Sequence, residues 1–249
     1  MNVRYHDVGT GRPMLLIHAF PLSADQWRPV LDAPPDGVRL IAPHLRGFRG
    51  IGESDTTPAA SLDGLTMADY ARDLIELMDR LEIGDATVCG VSMGGYVAFA
   101  MLRQAPERVS SLILAHTRAT ADTQASREAR DRTIALARAE GPSAIAREMV
   151  PKLLGATSQR ERPDEAARVR VLIEANTTDA IVAALGALKT RPDSTPLLSS
   201  IRCPTTIVHG DEDTIVPLAD AEAMHHGIRG SRLIRVPHAG HLEGVFTVL

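Results

Sequence analysis

Apolar residues fall along this chain in two rhythms. Six short runs are almost continuously hydrophobic: residues 13–18 (PMLLIH), 38–43 (VRLIAP), 86–91 (ATVCGV), 111–116 (SLILAH), 205–210 (TTIVHG) and 232–237 (RLIRVP). They do not alternate polar with apolar positions and are bounded by turn residues, which is how strands covered on both faces read. Between them the spacing is helical. In MADYARDLIELMDRLEI, Tyr70, Leu74, Leu77, Met78 and Leu81 share one face, opposite Arg72, Asp73, Glu76 and Asp79. Strands alternating with helices predict an α/β fold on a doubly wound, mostly parallel sheet.

From His116 to Pro204 the rhythm changes to a segment rich in Ala, Arg and Glu with no convincing strand. Helices are expected near 126–140, 143–154, 164–175 and 178–189, punctuated by Gly141-Pro142, Pro163 and Pro192. A helical block inserted between two sheet strands predicts a cap over the strand ends. The expected division is core residues 1–117, cap residues 118–195 and core residues 196–249. A chain of 249 residues is long enough for one large domain carrying such an insertion.

Composition adds exclusions. With 44% hydrophobic and 23% charged residues the chain is neither disordered nor fibrous. A net charge of −4 offers no basic stripe for phosphates, and the 3% aromatic content argues against a stacking groove, so nucleic acid is not an expected partner. No apolar stretch approaches the length of a membrane span, and the N-terminal stretch does not read as a secretion signal; a cytoplasmic protein with no membrane partner is expected. Cys89 and Cys203 sit near opposite ends of predicted strands and read as small buried hydrophobes, not as a disulfide.

Candidate chemistry begins at Ser92, which stands among Gly90, Gly94 and Gly95 in ATVCGVSMGGYVAFAML, where a buried strand hands over to a helix. Gly-x-Ser-x-Gly alone is a weak signal, but at such a turn it reads as a nucleophile elbow, a tight bend that exposes the serine oxygen beyond the sheet. The helix N-terminus behind it favours developing negative charge. A serine hydroxyl also needs a base held by an acid. VPHAGHLEG supplies His238 and His241, of which His241 is preferred because Gly240 gives the loop freedom to aim that ring across the sheet. IVHGDEDTIVP offers Asp211, Glu212 and Asp213 at the end of the preceding strand, and Asp213 is the preferred acid. The chain order Ser92, Asp213, His241 is that of serine hydrolases on this kind of sheet. No Cys, His or carboxylate set completes a metal-binding spacing, and Gly9 and Gly11 do not follow a strand as a dinucleotide fingerprint must. Neither a metal nor a cofactor is expected.

In order along the chain, HAFP (residues 18–21), APHLRGF, GVSMGG, HGDEDTIVP and HAGHL resemble the motifs of the α/β-hydrolase superfamily, close to the small bacterial esterases and enol-lactonases with a helical cap. The similarity runs over nearly the whole chain. It implies Ser92 as nucleophile, Asp213 as acid, His241 as base and an oxyanion hole made by the backbone amides of Phe20 and Met93. The implied reaction is cleavage of a small carboxylic ester through an acyl-enzyme. Opening of a lactone and cofactor-free formation of a peracid use the same residues and stay open, as does a non-catalytic binding protein on the same fold. Arg118, just after the SLILA strand, is a candidate contact for a substrate carboxylate. Met149, Leu153 and Leu154 are candidates for an acyl pocket or for cap core, and His18 for a hydrogen-bonded loop residue.

The chain also departs from the family pattern. Ala19 replaces a glycine, which would strain the loop carrying the Phe20 amide if φ were positive there. His44 stands where an aspartate is typical, and the loop over residues 46–54 is longer than usual and expected at the mouth of the site. Only eight residues follow His241, where the family adds a helix, so an apolar face is expected to await a second subunit in a homo-oligomer or further chain.

Overall fold

The computed structural model of the protein describes residues 3–54 and 59–249. Asp55, which ends the long RGIGESD stretch, lies outside the described residues. In chain order the elements are β1 (Tyr5–Gly9), β2 (Arg12–Ile17), α1 (Arg28–Leu31), β3 (Val38–Pro43), α2 (Met67–Arg80), β4 (Ala86–Val91), α3 (Met93–Gln104) and β5 (Val109–Ala115). There follow α4 (Gln124–Glu140), α5 (Pro142–Leu153), α6 (Ala156–Glu161), α7 (Pro163–Glu174), α8 (Thr178–Thr190), α9 (Thr195–Leu198), β6 (Thr205–Gly210), α10 (Leu218–Gly227) and β7 (Arg232–Val236).

The strands form one sheet in the order β1-β3-β2-β4-β5-β6-β7. Every pairing is parallel except that of β1 with β3. The six apolar runs are all strands, and β1 is the strand that hydrophobicity did not announce. Its sequence YHDVG alternates exposed with half-buried positions, as an edge strand does. Two hydrogen bonds from the Arg39 guanidinium to Asp7, 2.9 and 2.7 Å long, tie it to β3.

Helix α2 starts at a reciprocal cap: the Asp69 amide donates to Thr66 Oγ1 (3.2 Å) and the Thr66 amide to Asp69 Oδ2 (2.9 Å). Its apolar face is inside, with Tyr70, Leu74, Leu77 and Met78 fully buried. Asp73 breaks the pattern. Read as a solvent-facing position, it is buried and receives two bonds from Arg46, at 2.8 and 2.5 Å, that pin the chain leaving β3 onto α2. Cys89 is buried and Cys203 only half-buried, and both are free thiols.

Between β5 and β6 the chain forms α4 to α9 without a strand among the described residues. Gly141, at φ +75°, ends α4 and lets α5 begin at Pro142. Arg191, after α8, holds this block to the sheet layer by lying 4.2 Å over the Tyr96 ring of α3. No single helix among the described residues is long and apolar enough to cross a membrane.

Candidate active site

The C-terminal ends of adjacent parallel strands are where open α/β sheets gather ligands, and Ser92, Asp213 and His241 follow β4, β6 and β7 there. Ser92 has φ +53° and ψ −110° between β4 and the first residue of α3. A non-glycine residue in that region is strained by roughly 1–3 kcal/mol. The neighbouring glycines show what makes the bend fit. A Cβ on Gly90 would stand 2.3 Å from Gly94 O, one on Gly94 2.3 Å from Ile17 O, and one on Gly95 2.6 Å from the Thr117 side chain. From outside, the Ser92 amide donates to Ala115 O (2.8 Å) and Thr117 Oγ1 donates to Ser92 O (2.8 Å).

Asp213 is held on both oxygens. Its Oδ1 accepts the amides of Ile215 and Val216 at 2.8 and 3.0 Å. Its Oδ2 meets two imidazoles, Nδ1 of His241 at 2.9 Å and Nδ1 of His116 at 3.1 Å. Burial pushes the pKa of this carboxyl up, but the hydrogen bonds from His116 and His241 outweigh it and hold the group far below the usual carboxylate range. His241 is moved down from the ordinary histidine value because burial disfavours its cation more than Asp213 favours it. The ring is therefore neutral at pH 7, its Nδ1–H donating to Asp213 and its Nε2 left to accept a proton.

Ser92 and His241 line one cavity of about 320 Å³, together with Phe20, Tyr96, Met149 and Arg118. Among the described residues no hydrogen bond joins the Ser92 hydroxyl to the His241 ring; catalytic contacts of this kind are commonly loose before substrate binds and tighten afterwards. Met93 opens α3, so its amide has no partner within the helix. Ala19 is not a positive-φ residue, so the loop bearing the Phe20 amide holds alanine without strain. That loop is fixed by the Ala19 amide donating to Gln26 Oε1 (2.8 Å). His18 is buried, with Nδ1 2.9 Å from Ala19 O and Nε2 accepting the Leu45 amide at 3.1 Å; burial pushes its pKa down to about 3.

Other sequence expectations take a different form. Gly240 is not at positive φ; a Cβ there would stand 2.0 Å from Gly155 N, so close approach of the His241 turn to the chain entering α6 is what requires glycine. His238 faces water with its side chain 73% exposed, and Asp211 caps its amide at 2.6 Å. Arg118 lines the cavity with its guanidinium partly engaged, Nη2 donating to Ile215 O (2.8 Å) and Nε 3.5 Å from Asp220. Met149 lines the cavity, whereas Leu153 and Leu154 are buried in the hydrophobic core. None of the described residues of the 46–54 loop lines the cavity, so the loop does not sit at its mouth. Instead Arg49 donates to Ala175 O (2.5 Å), fastening the loop to the end of α7.

Two residues join this site through contacts the sequence did not announce, although His116 was expected after the SLILA strand on the side where the site opens. His116, at φ +50° after β5, sits between the strands of Ser92 and Asp213 and spends its Nε2 on Glu243 O at 2.6 Å. Glu243 is buried and collects the amides of Gly155 (2.9 Å) and Gly240 (2.7 Å) together with Ser158 Oγ and the Arg162 guanidinium. It thereby joins the turn carrying His241 to the N-terminal end of α6. One ligand-type atom from each of His116, His209 and Asp213 lies within 4.8 Å of the others, and His209 Nδ1 is buried without a hydrogen-bond partner among the described residues.

A sheet of this order with a serine on a strained strand-to-helix turn and an acid-held histidine three strands away defines a class, and comparison with known proteins agrees. Residues 12–243 match the family model of the alpha/beta hydrolase fold, and the chain belongs to that family. It is 30% identical over 242 residues to the pimeloyl-[acyl-carrier protein] methyl ester esterase of Aromatoleum aromaticum, covering 92% of this chain and 90% of that one. Among solved structures, the thermophilic esterase from Thermogutta terrifontis superposes with a TM-score of 0.87 at 38% identity, over 96% of this chain and 86% of that one. The enol-lactonase from Burkholderia xenovorans LB400 shares the fold, with a TM-score of 0.86 at 22% identity over 99% of this chain and 92% of that one.

Proposed function

We propose that the protein is a serine hydrolase that cleaves small carboxylic esters through an acyl-enzyme, with Ser92 as nucleophile, His241 as general base and Asp213 as its orienting acid. The observation that carries this reading is the 2.9 Å bond from His241 Nδ1 to Asp213, which leaves Nε2 as the free base in a cavity that Ser92 also lines. In the first step His241 takes the Ser92 proton as the oxygen attacks the ester carbonyl, and ionised Asp213 stabilises the resulting imidazolium. The amides of Phe20 and Met93 receive the oxyanion, each such donor typically contributing about 2.7–4 kcal/mol. His241 then protonates the departing alcohol. In the second step it activates water to release the acid and restore Ser92.

A cavity of about 320 Å³ is at the small end of ligand sites, which fits a short acyl group and a modest alcohol. The same residues would open a lactone, and the presence of Arg118 in the lining favours that second reading for substrates that carry a carboxylate. Fluorophosphonate labelling, followed by turnover of p-nitrophenyl esters and of lactones, tests the proposal. Wild type is expected to label and turn over, and Ser92→Ala to fold but lose roughly 10⁴-fold or more in kcat. No labelling at Ser92, or full activity in Ser92→Ala, would sink it in favour of a binding role or a different nucleophile.

A further inference from the structure

His6, Asp25 and His44 form a cluster that acyl transfer does not use, and none of the three lines the active-site cavity. They arrive from β1, from the turn after β2 and from the residue after β3. His6 Nε2 lies 2.9 Å from Asp25 Oδ1, and the His6 and His44 rings meet edge to face with centroids 5.3 Å apart. One donor atom from each of the three lies within 4.8 Å of the other two. Glu53 borders the same space: a Cβ built on Gly50 would stand 3.0 Å from Asp25 Oδ2, 3.1 Å from Glu53 Cδ and 3.2 Å from His44 Cε1.

His44 is the telling member. It is 3% exposed, and neither of its ring nitrogens has a hydrogen-bond partner among the described residues. A buried polar group of that kind calls for an occupant, an ion or a water.

We propose that His6, Asp25 and His44 bind a divalent transition-metal ion, with Zn²⁺ the best match and Glu53 the nearest candidate for a fourth ligand. Two imidazoles with one or two carboxylates are the donors zinc takes, whereas Mg²⁺ and Ca²⁺ prefer oxygen ligands throughout. Binding requires His6 to give up its bond to Asp25 and present Nε2 through the Nδ1–H tautomer. The cations now on the carboxylates are Arg4, 3.2 Å from Glu53, and Arg28, 3.2 Å from Asp25; both side chains reach water, at 34% and 53% exposure, and can turn outward. Because the ligands come from three separate segments, the ion would staple the β1 edge of the sheet to the chain that follows β3, a structural role apart from the reaction.

The test uses the full chain stripped of metal and titrated with ZnCl₂ by calorimetry, with CoCl₂ by visible absorption, and with MgCl₂ as control, thermal unfolding being followed in each ion. One equivalent of Zn²⁺ is expected to bind and raise Tm, Co²⁺ to develop the intense bands of a low-coordinate nitrogen and oxygen site, and Mg²⁺ to do neither. His6→Ala and His44→Ala should each weaken Zn²⁺ binding by more than the roughly 10- to 100-fold that loss of an outer partner of a metal ligand costs. Replacing His225 and His226 together should leave binding unchanged. If His44→Ala does not fold, the half-buried His6→Ala still decides. Absence of saturable Zn²⁺ binding, or binding that survives His6→Ala and so belongs to the cluster around Asp213 or to the surface, would overturn the proposal.

Discussion

Asp213 and Asp25 each gather two histidines, and the two clusters are built to opposite ends. The Asp213 carboxylate is fully engaged, with two amides on one oxygen, two imidazoles on the other and the second nitrogen of His116 spent on a carbonyl, while the neighbouring His209 keeps a buried Nδ1 without a partner among the described residues. The outer nitrogen of His241 is also left over, and His241 lines the same cavity as Ser92. At Asp25 the accounting is open, because the His6 ring reaches the carboxylate while both nitrogens of His44 face no partner. A satisfied buried network fixes where each proton sits, which is what a general base needs; an unsatisfied one keeps donor atoms in reserve for a ligand. Under the function and the metal site proposed above, similar residues would serve proton transfer in one place and coordination in the other, the second cluster being the wetter, with the His6 side chain 23% exposed.

The largest expected contrast comes from changing the two acids alike. Asp213→Asn should lower ester kcat by on the order of 10⁴-fold by presenting the wrong tautomer of His241, while Asp25→Asn should cost far less turnover and act on Zn²⁺ affinity instead. Equal losses of kcat in the two variants would break the comparison. Next in size, Gly240→Ala places a methyl against Gly155 N and should destabilise the fold by about 1–3 kcal/mol in urea unfolding. An unchanged midpoint would mean that the His241 turn is not held against the chain entering α6.

His116→Asn sharpens the contrast more gently. Removing a charge-assisted bond to Asp213 should cost on the order of tenfold in kcat. It should also shift the acidic limb of the rate profile to higher pH, since the His116 charge is one of the influences that depress His241. An unshifted limb would show that the second imidazole does not reach the base. The smallest effect is in the wild type itself: His241 must be neutral to accept the serine proton, and its pKa lies below the ordinary 6.5, so kcat/KM should rise with pH through a midpoint below that value and be level by neutrality. A midpoint above 6.5 would contradict the burial of the ring.

All six apolar runs are strands: those inside the sheet were legible because covered strands are largely apolar, while β7, a half-exposed edge, was legible only from its adjacent Leu233 and Ile234. β1 escaped because an edge strand of five residues, wet on one side, carries too little apolar signal. The serine turn was legible because packing around it admits only glycine at three neighbouring positions. Asp73 was misplaced on a helical wheel because Arg46, 27 residues away, supplies the partner that allows a carboxylate inside. His116, Glu243 and the trio of His6, Asp25 and His44 have no spacing to read: their meeting depends on which strands lie side by side and how the loops between them fold back.

The Glu243 carboxylate carries a mechanical consequence. By gripping both the turn that bears His241 and the start of α6, it acts as a rivet between the β7 side of the sheet and the helical block. Amide exchange should therefore be slow at Gly155 and Gly240, where the carboxylate keeps the turn beside Asp213 in register.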